Sequence, residues 1–244
     1  MKYLKYIFLT LLVIIILGFL YVKFVMHESR PTIVEGKDAA PVAQKMLNAV
    51  NQAAWDSLPY VQWTFRGTNH YVWDRKNNDA LIKWNDFEVH LDPDEIVGKT
   101  YKAGKLLEGA DHDNVLAKGW SNWCNDMYWL AAPFKIQDPG TQLSLATDDE
   151  GKEGLLVTYA SGGVTPGDSY LWFLDDNGLP TSYKMWVSLI PIGGVSFTWD
   201  KWTTLPGGAK VASYHKGLLE IPVENIKGGN SWAELGYDGS PIKL

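Results

Sequence analysis

Cysteine, catalytic motifs and positive charge are all scarce in this chain. Cys124 is the single cysteine among 244 residues. An intrachain disulfide and a cysteine-cluster zinc site are therefore excluded. Beside Trp123, the lone thiol reads as a small buried hydrophobe rather than a nucleophile. There is no Gly-x-Ser-x-Gly elbow, no His-Glu-x-x-His pair and no P-loop, so the common hydrolase, zinc-protease and nucleotide-binding signatures are missing. Acids outnumber bases 28 to 22, for a net charge of -6. Lys2, Lys5 and Lys23 are the only charges in residues 1–26, so the remainder carries -9. Such a surface excludes binding nucleic acid or anionic headgroups through bulk charge.

What is abundant is tryptophan. Twelve are spread over positions 55, 63, 73, 84, 120, 123, 129, 172, 186, 199, 202 and 232. Tryptophan fills large cores, but it also lines sites for flat or apolar ligands. Hydrophobic residues make up 46% of the chain, which argues against general disorder.

The long apolar run lies at the amino terminus. Tyr6–Met26 is apolar apart from Thr10, Gly18 and Lys23. At about 1.5 Å per residue it can cross a hydrocarbon core of about 30 Å. No Ala-x-Ala follows it, so an uncleaved signal anchor over residues 1–26 is expected rather than a cleaved peptide. Lys2 and Lys5 favour a cytoplasmic amino terminus. The rest of the chain is then extracytoplasmic, on the periplasmic side of an inner membrane, with a cleaved, secreted form as the alternative. Residues 27–38 read as a polar tether, and 39–244 as the folded domain.

Within that domain, Ala39–Trp55 carries Val42, Met46 and Val50 at helical spacing, with Asp38 as a possible cap. Period-2 strands follow: Val61, Trp63 and Phe65; Tyr71 and Trp73; Ala80, Ile82 and Trp84; Phe87, Val89 and Leu91. Asp94–Lys118 has little pattern. Asn114–Trp129 has loose helical spacing that ends at Pro133. Strands resume at Leu143 and Leu155. Asp175-Asp176-Asn177-Gly178 marks a hairpin between Tyr170–Leu174 and Thr181–Leu189. The glycine-rich tail from Lys227 reads as an edge or a loose end. The sum is an α+β protein: an N-terminal transmembrane helix, then a strongly curved antiparallel β-sheet, a half-barrel of about ten strands, with covering helices.

No catalytic constellation stands out, and neither a cofactor nor a resident metal is implied. His70, His90 and His215 are the only metal set worth inspecting, and satisfied sheet histidines are the plainer reading. Asp111-His112-Asp113 reads as a solvated turn. Asp138, Asp168, Asp175 and Asp176 adjoin Gly, Pro or Asn, the chemistry of turns.

Sixteen residues, Asn125–Gly140 (NDMYWLAAPFKIQDPG), join the two strand blocks. Followed by VTPGDSYLWFLDDNG, they resemble a family of uncharacterised bacterial membrane-bound or secreted proteins with the pattern Asn-Asp-x-Tyr-Trp-Leu, Pro-Phe-Lys, Asp-Pro-Gly. The likeness spans residues 55–215. More remotely, the helix, strand block and hairpin resemble the lipoprotein-carrier (LolA/LolB-like) superfamily. That resemblance implies an unclosed curved sheet whose concave side holds acyl chains. The function it implies is binding of a lipid or other apolar small molecule, without catalysis. Trp63, Phe65, Trp73, Trp84, Trp129, Phe134 and Trp172 are the candidate cavity lining. Two alternatives stand beside it: an envelope glycan- or lipid-modifying enzyme, with His70, His90 and Asp138 the first groups to inspect, and a structural or partner-binding domain with a filled core. Asn125 and Asp126 read as capping and turn residues.

Overall fold

A computed structural model describes residues 2–22, 24 and 27–244. Helix α1 (Lys2–Tyr21) is the apolar amino-terminal run, and its side chains Ile7, Phe8, Leu9, Ile15 and Leu17 are all exposed. Among the described residues, no helix is long and apolar enough to cross a membrane. Lys23, Val25 and Met26, the end of the expected anchor, lie outside the described residues.

The supposed tether is docked rather than free. Strand β1 (Thr32–Ile33) pairs antiparallel with β8 (Thr141–Thr147). Ahead of it, the Glu28 amide donates to the Gly193 carbonyl (3.0 Å), and Trp186 Nε1 donates to the Glu28 carbonyl (3.1 Å). Lys184 Nζ bridges Glu28 (2.9 Å) and Asp148 (2.9 Å). Burial alone would raise the Asp148 carboxyl, but Lys184 and the Lys152 and Glu150 amides hold it below its ordinary value. A composition that reads as polar linker conceals backbone donors and acceptors that complete a sheet edge.

Helix α2 (Ala40–Val50) starts where Asp38 Oδ1 accepts from the Ala40 amide (2.9 Å). It stops at Asn51, whose φ of 62° ends the helix while its side chain caps α3 (Gln52–Ser57). Asparagine suits that left-handed position. Arg75 then ties α3 to the sheet: it donates to the Trp55 and Leu58 carbonyls and lies 4.2 Å from the Trp55 ring centroid.

A run of hairpins follows: β2 (Tyr60–Phe65), β3 (Asn69–Asp74), β4 (Asp79–Trp84), β5 (Phe87–Asp92), β6 (Val97–Lys102) and β7 (Lys105–Leu106). Helix α4 (Gly109–Ala131) crosses the interior and runs into a 3-10 turn over Ala132–Lys135. Next come β8, β9 (Glu153–Tyr159), β10 (Ser169–Leu174), β11 (Pro180–Trp186), β12 (Val195–Thr198), β13 (Asp200–Thr204), β14 (Lys210–Lys216) and β15 (Glu220–Gly229). Helix α5 (Trp232–Leu235) closes the order.

These strands form two antiparallel sheets instead of one half-barrel of about ten strands. One has six strands, in the order β1-β8-β9-β10-β11-β12, and the other nine, in the order β13-β14-β15-β2-β3-β4-β5-β6-β7. Neither closes into a barrel. Buried Trp199 sits where β12 hands the chain to β13, so one extended segment serves both sheets. His215 Nδ1 meets the Thr198 carbonyl (3.1 Å), and the Lys216 amide donates to Thr198 Oγ1 (3.0 Å), which laces the two sheets together there. The extra strands were hidden for a physical reason. In β6, which lies between β5 and the short β7, only Thr100 is buried, so the strand carries no apolar alternation to read.

The tail is likewise held. α5 packs Trp232 on Tyr60 (4.0 Å between ring centroids), and the Lys243 amide donates to His90 Nδ1 (3.0 Å). The two sheets and helices α2, α3 and α4 share one buried core.

Candidate functional site

The interior holds two aromatic nests, one on each sheet. On the nine-stranded side, Trp63 stacks on Tyr71 (4.7 Å), and Trp123 of α4 meets Trp73 edge-on (5.2 Å). Trp55 stacks on Phe134 at 4.3 Å with planes 4° apart. This places Trp63, Trp73 and Phe134 of the expected lining in one nest. Phe65 and Trp84 are buried in the same core, and Trp84 packs against Phe87 (5.5 Å).

The second nest lies between α4 and the six-stranded sheet. Tyr128 meets Tyr170 (4.7 Å), which meets Tyr183 (5.3 Å). Tyr183 meets Trp172 (5.0 Å), which meets Trp199 (4.9 Å). His215 closes the path, 4.4 Å from Trp199 and 5.2 Å from Trp129. Trp129 and Trp172 are thus brought together, away from the other five. Trp123, Met127 and Leu130 form one buried stripe of α4, and Trp129 is buried on a different face, toward the second nest.

The second nest differs from an ordinary core in its polar atoms. The Tyr183 hydroxyl and the indole N–H groups of Trp172 and Trp199 are buried and have no hydrogen-bond partner among the described residues. The Tyr128 and Tyr159 hydroxyls lie side by side without a well-formed bond, and His215 Nε2 is in the same position against the backbone of α4. Burial raises all four tyrosines, Tyr128, Tyr159, Tyr170 and Tyr183, so none is an anion at neutral pH. Burial lowers His215 to about 4, so its ring is neutral there. The nest offers several donors and one imidazole inside an aromatic wall. A buried polar group without a partner costs about 1–3 kcal/mol. Tyr159, Tyr170, Tyr183, Trp199 and His215 were not on the sequence-derived lining. Tyr159, Tyr170 and Tyr183 show period-2 placement on strands, but the approach of β10 and β11 of one sheet to β14 of the other around α4 has no local signal.

The other candidates stay apart. His70 Nδ1 meets Thr64 Oγ1 (3.0 Å) on an exposed strand end. His90 accepts from Lys243, so its Nε2 donates to Glu88 (2.7 Å); burial lowers its affinity for a second proton. Asp138 is half-buried and pairs with Lys135. The three do not converge, and among the described residues no three His, Cys, Asp or Glu side chains form a metal-holding group. His112, expected in a solvated turn, lies on the first turn of α4 and meets Thr100 Oγ1 (2.9 Å). Burial pushes Cys124 up to about 12, which leaves it a thiol. Asp126 neither caps nor turns. It reaches from α4 to β3 and accepts from Tyr71 Oη (2.5 Å) and Asn69 Nδ2 (2.7 Å), with Asn125 Nδ2 beside them (2.7 Å).

Two surface clefts lie outside the second nest, the smaller of them against the Trp63–Tyr71 stack of the first. One of about 410 Å³ is bordered by His27, Arg30, Asp168, Trp186 and Ile192. A smaller one of about 170 Å³ is bordered by Gln62, Trp63, His70, Asn225 and Tyr237.

Fold and interior together define an α+β protein in which two large antiparallel sheets enclose helices and an aromatic core. No family model matches the chain, and no curated protein matches it. Among solved structures, a DUF1329 family protein from Desulfovibrio piger aligns over 83% of this chain and 99% of its own. The identity is 11% and the TM-score 0.41, a likeness too distant to carry an argument.

Proposed function

We propose that the chain is a membrane-anchored, extracytoplasmic protein that binds a lipid or other apolar ligand bearing a polar end, without chemistry. The ligand occupies the second nest, between α4 and the six-stranded sheet. One observation carries the reading: donors on Tyr183, Trp172 and Trp199 lie buried and unpaired inside an aromatic wall. An acyl or ring portion gains from leaving water, at about 25 cal/mol per Å² of apolar area. A carboxyl, ester or hydroxyl end accepts from the waiting donors. The exposed apolar circumference of α1 supports the anchor, because leucines and isoleucines exposed on every side of a helix suit lipid and not water. A fixed anchor suits holding a ligand at the envelope better than ferrying it.

The test is titration of the full chain, in detergent micelles, with a fluorescent polyene fatty acid that accepts energy from tryptophan. Saturable transfer at one ligand per chain is expected. Tyr183→Phe removes an unpaired hydroxyl, so it should leave the free protein as stable or more so while weakening binding about tenfold. Transfer that never saturates, or that is the same in Tyr183→Phe, overturns the reading.

A further inference from the structure

The docked segment after α1 has a geometric consequence. Five residues, 22–26, connect Tyr21 to His27. Even fully extended, that connection spans only about 20 Å. His27 is itself fixed, because its Nδ1 accepts from the Gly193 amide (2.9 Å). Glu28 is held by Gly193, Trp186 and Lys184, and the Ser29 amide donates to Asp149 (3.0 Å). Wherever α1 ends, the loop after β11 therefore lies within a short reach of it.

That loop is unusually apolar at its tip. Leu189 is 72% exposed, and Ile190, Pro191 and Ile192 follow it. Beside it, the loop after β9 exposes Val164, and Arg30 reaches across to the Gly167 carbonyl (3.4 Å). The acids at this face are engaged: Glu28 with Lys184, and Asp168 accepting from the Ser188 amide (2.8 Å). The result is a face of exposed aliphatic tips with Arg30 among them, on a protein whose remaining surface is acidic. Aliphatic tips with a nearby cation are the composition that settles at a bilayer interface.

We propose that this face rests on the surface of the bilayer that α1 enters. Leu189 and Val164 dip below the headgroups, and Arg30 lies at the level of the phosphates. The 410 Å³ cleft bordered by His27, Arg30 and Ile192 then opens against the membrane. The proposal rests on the anchor reading given above. It adds a fixed orientation, which an anchor on a loose tether would not impose.

Single cysteines at Leu189, Val164 and, as a distant reference, Asp176 provide the test. Asp176 lies in the turn at the far end of the β10–β11 hairpin, about 20 Å from the Leu189 loop by strand length. Native Cys124 stays in place, because a thiol pushed up to about 12 does not compete for label near neutral pH. The full-length variants are labelled with an environment-sensitive fluorophore and reconstituted into phosphatidylcholine vesicles carrying a headgroup-level nitroxide lipid. Blue-shifted emission and at least threefold stronger quenching at 189 and 164 than at 176 are expected. Chain that floats with the vesicles but shows equal, water-like emission at all three positions overturns the apposition and leaves the anchor standing. Chain that does not float with the vesicles overturns the anchor, and this proposal with it.

Discussion

Asp126 supplies the most exacting test of how this interior is held together. Its carboxylate is buried on α4 and accepts from Tyr71 and Asn69 on β3. Replacing it with alanine leaves the Tyr71 hydroxyl, itself 1% exposed, without a partner. An orphaned buried hydroxyl costs about 1–3 kcal/mol. Asn69 is half-buried and Asn125 exposed, so both can turn to water, and each lost bond adds about 0.5 kcal/mol. Removing the charge returns part of its desolvation cost, which keeps the expected loss for Asp126→Ala at about 2–4 kcal/mol. In urea unfolding that is a fall in midpoint of about 1–2 M. Burial raises the Asp126 carboxyl above its unfolded value, in spite of its donors. For an acid so shifted, the native state holds the proton more tightly than the unfolded chain. Its contribution is therefore largest at low pH and is lost as pH rises through the folded value. Asp126→Asn, which cannot titrate, should gain stability relative to the wild-type chain as pH rises from 4 to 8. A double-mutant cycle with Tyr71→Phe should give a coupling of at least about 1 kcal/mol. An Asp126→Ala cost under about 0.5 kcal/mol, or additive single mutants, would refute this account of the helix–sheet junction.

Three further outcomes follow from other parts of the molecule. His215 is lowered to about 4 by burial, so the unfolded chain takes up its proton first as pH falls; stability should drop between pH 6.5 and 4 by an amount on the order of 3 kcal/mol, and His215→Phe should flatten that part of a urea-midpoint profile. Gly98→Ala would set a Cβ 2.0 Å from the His90 carbonyl oxygen, so about 2–3 kcal/mol should be lost, measured by thermal unfolding. Lys184→Met leaves Glu28 and Asp148 without their shared cation, so amide exchange at Glu28 and Val34 should quicken about tenfold or more while the β2–β5 amides stay unchanged.

The legible parts of this fold are those with a local cause. Asp175-Asp176-Asn177-Gly178 gives a hairpin because Asp175 Oδ1 collects the Asn177 and Leu179 amides at 2.8 Å each and Gly178 takes a φ of 91°. The meander from β2 to β5 shows itself in alternation, since each strand turns alternate side chains into the main core, while Val72 and Leu81 pack on the other face against Leu235. The illegible parts have non-local causes. β1 and β6 carry little apolar pattern because their stability comes from neighbours' backbone groups. The split at Trp199 depends on which sheet edge is free. Five aromatics and a histidine of the second nest stand on α4, β9, β10, β11 and β14 or next to β13, and only the tertiary fold shows that they meet.

On the proposed reading, the same distinction bears on how a ligand would get in. Core aromatics that pack ring to ring gain nothing from leaving polar atoms unpaired, and the first nest leaves fewer: the Trp73 indole finds Asn78 (3.1 Å) and the Tyr71 hydroxyl finds Asp126, while the Trp63 indole N–H has no partner among the described residues. The second nest leaves several unpaired, on one side of α4. Across its opposite side α4 is pinned: at Gly119 an added Cβ would sit 3.0 Å from Val89, and Asp126 binds β3. A helix fixed to the nine-stranded sheet and less satisfied toward the six-stranded one opens on that second side at the lower cost. The six-stranded sheet also carries β1 and the docked segment leading back to α1. On the proposed reading, entry from a bilayer that holds α1 would therefore pass along the six-stranded sheet, with α4 staying on the nine-stranded one.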